Sequence, residues 1–144
     1  MAAWRRRALA LFPELREELV EPGASLYSLG WALGDMVRAA YDTDNVAMLR
    51  RIYGFALWRL AQRGRTLLNP IGLGFYEHLL DRKCDWPDVL AWLPPGVISM
   101  MWPVWEYRLG SVPMKEVTKV LVEVRRSPGK LPWESVPLGG EERP

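Results

Sequence analysis

The chain has 144 residues, 49% of them hydrophobic and 25% charged, and its formal net charge is +2. This length and this proportion of hydrophobic and charged residues indicate one globular domain. The small net charge by itself gives no evidence for a polyanionic partner. A single cysteine excludes an intramolecular disulfide, and one cysteine with one histidine cannot supply the four ligands of a structural zinc site. No apolar stretch approaches the ~20 residues of a membrane span, so we expect a soluble, cytoplasmic protein without metal or cofactor.

The first third of the chain carries recognisable helix start signals. Pro13 favours the first turn of a short helix. Ser25 is a good N-cap for a longer helix over residues 26–41, in which Gly30 and Gly34 lie about one turn apart. Two glycines weaken a helix, so we expect them to allow a close crossing beside the element that follows.

Residues 46–63 form the element around which we expect the fold to be organised. Polar capping residues at 42–45 start this helix, and Gly64 ends it. Its apolar side chains recur at helical spacing on more than one face: Val46, Leu49, Ile52, Tyr53, Phe55, Ala56, Leu57, Trp58 and Leu60. A helix that is apolar nearly all round is covered by neighbours nearly all round, so this one is predicted to be central and buried.

Shorter elements follow the central helix. The pattern predicts a helix from Leu67 to about Lys83 and a second, short helix over residues 89–93, for which Asp85 is a capping residue. The segment over residues 97–109 contains Pro103, which predicts either two short helices or one helix that begins at about that proline.

The last element, over residues 112–126, reads as a helix in spite of its β-branched run. A lone strand would have no partner in a chain with no other strand candidate. From residue 127 onward the sequence is rich in Pro and Gly and predicts an extended tail to residue 144. The fold class is therefore all-α, a compact irregular bundle of five to seven helices in a single domain over residues 1–126.

Aromatic residues and methionine are concentrated between residues 86 and 107. Such side chains either fill the end of a bundle or, where exposed, form an adaptable binding surface. The candidates for a partner surface are Trp86, Trp92, Trp102, Trp105 and Tyr107.

Two other functions have weaker signals. Arginines could meet a phosphate backbone, the candidates being Arg5, Arg6, Arg7, Arg50 and Arg51, but they are dispersed and form no single stripe. Glu77 and His78 could belong to a small enzyme site, although neighbouring helical residues do not face each other and no nucleophile can be assigned to them from spacing.

Three motifs in the chain carry a resemblance to a known family. They are F-P-E-L at residues 12–15, R-I-x-x-F at residues 51–55 and N-x-x-x-x-x-F-x-E-x-L at residues 69–79. In this order they resemble a family of small, uncharacterised, all-helical bacterial proteins over residues 12–109. Some relatives resemble immunity-type proteins, which neutralise a partner by binding it, so the resemblance implies binding rather than catalysis.

The leading hypothesis from the sequence is therefore a non-enzymatic protein–protein interaction module of immunity or adaptor type. We expect a protein partner, with a second copy of the chain as an alternative, no membrane, and nucleic acid only as the weaker reading. Nucleic-acid binding through the arginines and an enzyme site near Glu77 and His78 remain the alternatives.

Overall fold

The computed structural model describes residues 1–62 and 74–136, and this part of the chain is all-α, as the sequence predicts. Four α-helices precede the first gap: α1 (Ala3–Leu11), α2 (Arg16–Val20), α3 (Leu26–Asp42) and α4 (Val46–Gln62). Three follow it: α5 (Trp86–Trp92), α6 (Pro95–Leu109) and α7 (Ser111–Arg126). Short 3₁₀ turns lie at Pro13–Leu15, Tyr76–His78, Lys83–Asp85 and Pro132–Ser135.

The described residues group into two compact units, and the single domain over residues 1–126 stays a prediction. Among the described residues, the first unit holds residues 1–62 with 74 and 75, and the second is Tyr76–Val136. The end of the predicted central helix, residues 63–64, and the last eight residues of the predicted tail lie outside the described residues.

In the first unit, α4 is the buried helix that its sequence predicts. Nine of its 17 residues are buried, and both α1 and α3 pack against it. The ring of Phe12, just after α1, meets that of Phe55 edge to face at 5.8 Å. The hydroxyls of Tyr41 on α3 and Tyr53 on α4 are hydrogen-bonded to each other within the core. Helix α4 is thus held by aromatic contacts on two sides.

Helix α3 begins where its capping residue predicts. The Ser25 hydroxyl accepts a hydrogen bond from the Ser28 amide at 3.1 Å, and the Ser28 hydroxyl accepts one from the Ser25 amide at 2.9 Å. This reciprocal capping box satisfies two amides that a helix start otherwise leaves unpaired.

The two glycines of α3 have different surroundings. A Cβ on Gly30 would lie 3.0 Å from the carbonyl carbon of Gly74, whereas a Cβ on Gly34 would meet only the Arg38 side chain at 3.7 Å. Gly30 therefore allows close backbone approach, but towards Gly74 rather than the central helix, and Gly34 makes no comparable approach.

In the second unit, α7 packs against both α5 and α6. The predicted helix over residues 67–83 is not continuous, since its described part from Tyr76 onward forms 3₁₀ turns. Residues 67–73 of that prediction lie outside the described residues. Residues 112–126 form a helix, as predicted, and not a strand.

Helix α6 runs without a break through Pro103, contrary to both alternatives that the sequence suggests. A proline inside a helix deprives the carbonyl four residues earlier, that of Ser99, of its donor. Ser99 and Pro103 are both exposed, so water can replace that donor and the helix continues. At its end, Gly110 has a φ of +91° and turns the chain directly into α7.

The chain after α7 returns to the body of the second unit. The 3₁₀ turn Pro132–Ser135 packs against α5, Trp133 is half-buried and Val136 is 6% exposed. The first part of the predicted extended tail is therefore docked.

Candidate functional site

Three of the five side chains predicted to form a partner surface lie in the interior. The exposed fractions of Trp86, Trp92 and Trp105 are 5%, 4% and 0%. Trp102 is half-buried, with its ring edge to face with that of Trp105 at 6.4 Å, and Tyr107 is 92% exposed. A partner cannot reach the three buried indoles in this conformation, so the candidate surface narrows to Trp102 and Tyr107.

Two of the buried tryptophans hold the segment before α5 in place. The indole N–H of Trp86 donates to the carbonyl of Leu80 at 2.8 Å, and that of Trp105 donates to the carbonyl of Tyr76 at 2.9 Å. A buried indole usually finds such an acceptor. These two side chains therefore help to form the interior of the second unit. This is the first of the two roles predicted for the aromatic segment, that of filling the end of the bundle.

Tyr107 lies on the outer face of α6. This outer face is the exposed stripe of Gly96, Ser99, Pro103 and Tyr107, which recur at helical spacing on the side opposite the buried Trp105. Beyond the Gly110 corner, Val112 is also exposed, at 70%. No sequence motif marks this valine, and its exposure follows only from the position it takes at the start of helix α7.

Arg108, the neighbour of Tyr107, anchors the last turn of α6. Its guanidinium donates to both carboxylate oxygens of Asp81, at 2.9 and 3.1 Å, and lies 3.6 Å from the Glu77 carboxylate. The same Asp81 carboxylate lies 3.0 Å from Nδ1 of His78. These contacts fix the end of α6 relative to the turn at residues 76–81.

The pairing of His78 with Asp81 is the arrangement that orients a histidine acting as a general base. Here Asp81 is shared with Arg108, so a structural role accounts for the contact as well as a catalytic one does. Glu77 is directed to Arg108 as well. An enzyme site around Glu77 and His78 stays a prediction.

Most of the arginines proposed for nucleic acid have roles within the first unit. Arg5 donates to the Ala24 carbonyl at 2.9 Å, and Arg7 stacks over the Trp58 ring at 4.6 Å. Arg51 donates to the Leu11 carbonyl at 2.7 Å, at the end of α1.

The other two candidate arginines, Arg6 and Arg50, are exposed, and Arg6 donates to the Met1 carbonyl at 2.6 Å. A nucleic-acid surface would have to be built mainly from these two residues. Nucleic-acid binding also stays a prediction.

The first unit contains one small cavity among its described residues. A partly open apolar cavity of about 100 Å³ lies between α2 and α3, lined by residues that include Leu15, Leu19 and Leu29, well below the ~300 Å³ at which ligand pockets begin. Within the described ranges, no group of three or more His, Cys, Asp or Glu side chains could hold a metal ion. No described helix has the length and apolar character needed to cross a membrane.

Asp85, which is buried beside the exposed Cys84, has a different role from the capping role that the sequence predicts. The Asp85 side chain makes no capping contact at the start of α5. Its carboxylate accepts two hydrogen bonds from the Arg82 guanidinium, at 2.9 and 2.8 Å, and Asp85 is 2% exposed. The capping role predicted for Asp85 is therefore wrong, because this neighbouring guanidinium binds both of its oxygens.

The described residues thus define an all-α protein with four helices in one unit and three in the other. The chain belongs to the family described as a domain of unknown function, DUF7674, whose model matches residues 5–102. No curated protein and no solved structure gives a significant match. The match begins in α1 and ends within α6, so Tyr107 and all of α7 lie beyond it.

Proposed function

We propose that the protein is a non-enzymatic protein–protein interaction module, of immunity or adaptor type, whose partner contacts the outer face of α6 around Tyr107. The observation that carries the proposal is the 92% exposure of this tyrosine. Tyrosine is one of the residues most enriched among those that dominate binding energy at interfaces. Its ring contributes nothing to a core when it is this exposed, so stability gives no reason for a large aromatic side chain there.

The rigidity of the support favours the same proposal. Arg108 ties the adjacent backbone to Asp81 and Glu77, and Trp105, one turn earlier, is completely buried. A backbone that is already fixed loses little further freedom on binding, which preserves more of the contact energy as affinity. Pro103, one turn before Tyr107 on the same outer face, adds a second apolar and conformationally restricted contact.

The experiment is a pull-down from a lysate of the source organism at moderate salt, read by mass spectrometry, with wild-type protein and a Tyr107→Ala variant. We expect one stoichiometric protein partner with the wild type. With the purified partner, the variant should bind about 30-fold more weakly, the loss of about 2 kcal/mol that marks an interface hot spot.

Tyr27→Ala is the matched control, because Tyr27 lies on α3 in the first unit and is 47% exposed. This variant should retain the partner. Both variants should unfold within about 0.5 kcal/mol of wild type, the usual range for surface substitutions. Equal binding by Tyr107→Ala and wild type would refute the surface, and recovery of nuclease-sensitive nucleic acid instead of a protein would favour the arginine alternative.

A further inference from the structure

Helix α7 presents a stripe of two apolar and three basic side chains to solvent. The α7 stripe consists of Val112, Lys115, Lys119, Val122 and Arg126, all of them exposed. At 3.6 residues per turn these five positions fall within an arc of about 80°. The centre of that arc lies opposite Val117, which is 0% exposed and faces the core. The packing of the helix against α5 and α6 is on the opposite side, and no residue that the structure describes covers this stripe.

The cations of the stripe differ from the nearby Lys83 in what they contact. Lys83 forms an ion pair with Glu116 at 2.6 Å. Lys115, Lys119 and Arg126 form no ion pair with any residue that the structure describes. The hydrogen bond and charge of Lys83, and to a smaller extent the charge of Lys119, lower the pKa of Glu116. The close ion pair of this acid is with Lys83, although Lys119 also attracts it. The stripe has three basic side chains, with Glu116 and Glu123 as the acids at its edge.

The two apolar members lie on either side of the two lysines, and Arg126 lies one turn beyond Val122. Val112 is 70% exposed and Val122 is 44% exposed. Ten residues of helix separate them by about 15 Å, and both lysines lie between them. The aliphatic stems of lysines add apolar surface while their ammonium groups stay in water. The resulting surface has two lysines between two valines, with a further positive charge, that of Arg126, after the second valine.

We infer that the α7 stripe binds an acidic segment of the protein partner, one that presents carboxylates between two apolar side chains about 15 Å apart. The inference rests on the proposed function, because it specifies the chemistry of that same partner. Charge complementarity selects an acidic segment, and the two valines select a protein over a polyphosphate, which offers them no apolar counterpart. Insertion into a membrane is disfavoured because the apolar face of α7, with Met114 and Val117, is buried.

A zero-length carbodiimide coupling in lysate tests the chemistry directly, because it joins a lysine amine only to a carboxylate in contact with it. The chain has four lysines: Lys83, Lys115, Lys119 and Lys130. Lys83 should couple to Glu116 within the chain and so serves as the internal positive control. Lys115 and Lys119 should couple to aspartates or glutamates within one segment of one partner protein. Lys130 should give no such product.

Affinity of the purified partner provides the second measurement. The variant Lys115→Glu with Lys119→Glu should bind at least about tenfold more weakly at 50 mM NaCl, and the salt dependence of wild-type binding should largely disappear. The matched control, Arg16→Glu with Lys130→Glu, makes the same change in net charge at exposed positions outside the stripe. It should bind within about threefold of wild type.

The outcomes separate this inference from the proposed function. A Tyr107-dependent partner that gives no coupling to Lys115 or Lys119, and whose affinity is unaffected by the double charge reversal, overturns the inference alone. Coupling from the stripe to a partner that Tyr107→Ala still binds supports the inference and overturns the Tyr107 surface. Retention of single-stranded DNA or of phosphatidylserine vesicles by wild type, but not by the stripe variant, overturns the inference in favour of a polyanion. Absence of any partner overturns both.

Discussion

The indole N–H of Trp105 donates to the main-chain carbonyl of Tyr76 at 2.9 Å, and both residues are completely buried. A carbonyl in such a position has no access to water. Because an unsatisfied buried acceptor costs about 1–3 kcal/mol, the contact is expected to be a main stabilising feature of the second unit.

The first prediction follows from that contact. Trp105→Phe removes the donor and shrinks the ring, so we expect the free energy of unfolding to fall by about 2–4 kcal/mol. Urea denaturation followed by circular dichroism measures this change. Tyr107→Phe, two residues along and exposed, is the control and should be neutral. A neutral result for Trp105→Phe would show that water or another donor satisfies the Tyr76 carbonyl.

A second prediction contrasts the two glycines of α3. Gly30→Ala places a Cβ 3.0 Å from the backbone of Gly74, and we expect a net loss of about 1 kcal/mol as the contact is pushed apart. Gly34→Ala meets only a flexible arginine at 3.7 Å and should stabilise the protein by up to about 1 kcal/mol through helix propensity. Thermal unfolding of the two variants should move in opposite directions. Movement in the same direction would contradict the close approach at Gly74.

The third prediction concerns the buried carboxylate of Asp85. Asp85→Asn keeps the shape but removes the charge that accepts two hydrogen bonds from Arg82, and we expect a loss of about 2 kcal/mol in unfolding free energy. Asp35→Asn makes the same substitution at an exposed carboxylate paired with Arg38. It should change stability by less than about 0.5 kcal/mol. Equal effects of the two variants would argue against a special role for the buried Asp85 carboxylate.

The fourth prediction is a pKa measurement. The hydrogen bond and then the charge of Lys83 lower the pKa of Glu116 below 4.5, so Lys83→Met should raise that pKa back towards 4.5. The sign for stability follows: the ion pair helps the folded state above about pH 4.5 and this help is lost as pH falls through the lowered pKa. Carboxyl-carbon NMR of the two proteins reports the shift. An unchanged Glu116 titration would show that the pair does not persist in solution.

Local signals predicted the first unit well. Ser25 caps α3 because its hydroxyl reaches amides in its own first turn, a contact that depends on no distant residue. The all-round apolar pattern of α4 likewise predicts burial from local sequence alone. A helix that is apolar on every side must be covered on every side, whichever residues cover it.

The second unit depends more on distant contacts. The turns at residues 76–85 replace a predicted helix, and indoles from Trp86 and Trp105 occupy two of their carbonyls, in the second case from 29 residues away. Composition alone could not decide which tryptophans are exposed, because interiors and interfaces favour the same aromatic side chains. The residues of the α7 stripe lie on one side of the segment only if that segment is a helix. The sequence could not place them together as long as its β-branched residues also allowed a strand.

Gly110 joins the outer face of α6 to the α7 stripe through a backbone conformation, with φ at +91° and ψ at 163°, that is essentially closed to other amino acids. The angle between the two proposed surfaces is therefore set by one residue that belongs to neither. Along both helices the exposed side chains can vary through evolution without disturbing the core, and recognition can be retuned one contact at a time. Gly110 cannot vary in this way. Its substitution would change the angle between α6 and α7, and with it the relative position of the two surfaces, although every contacting side chain would remain in the sequence.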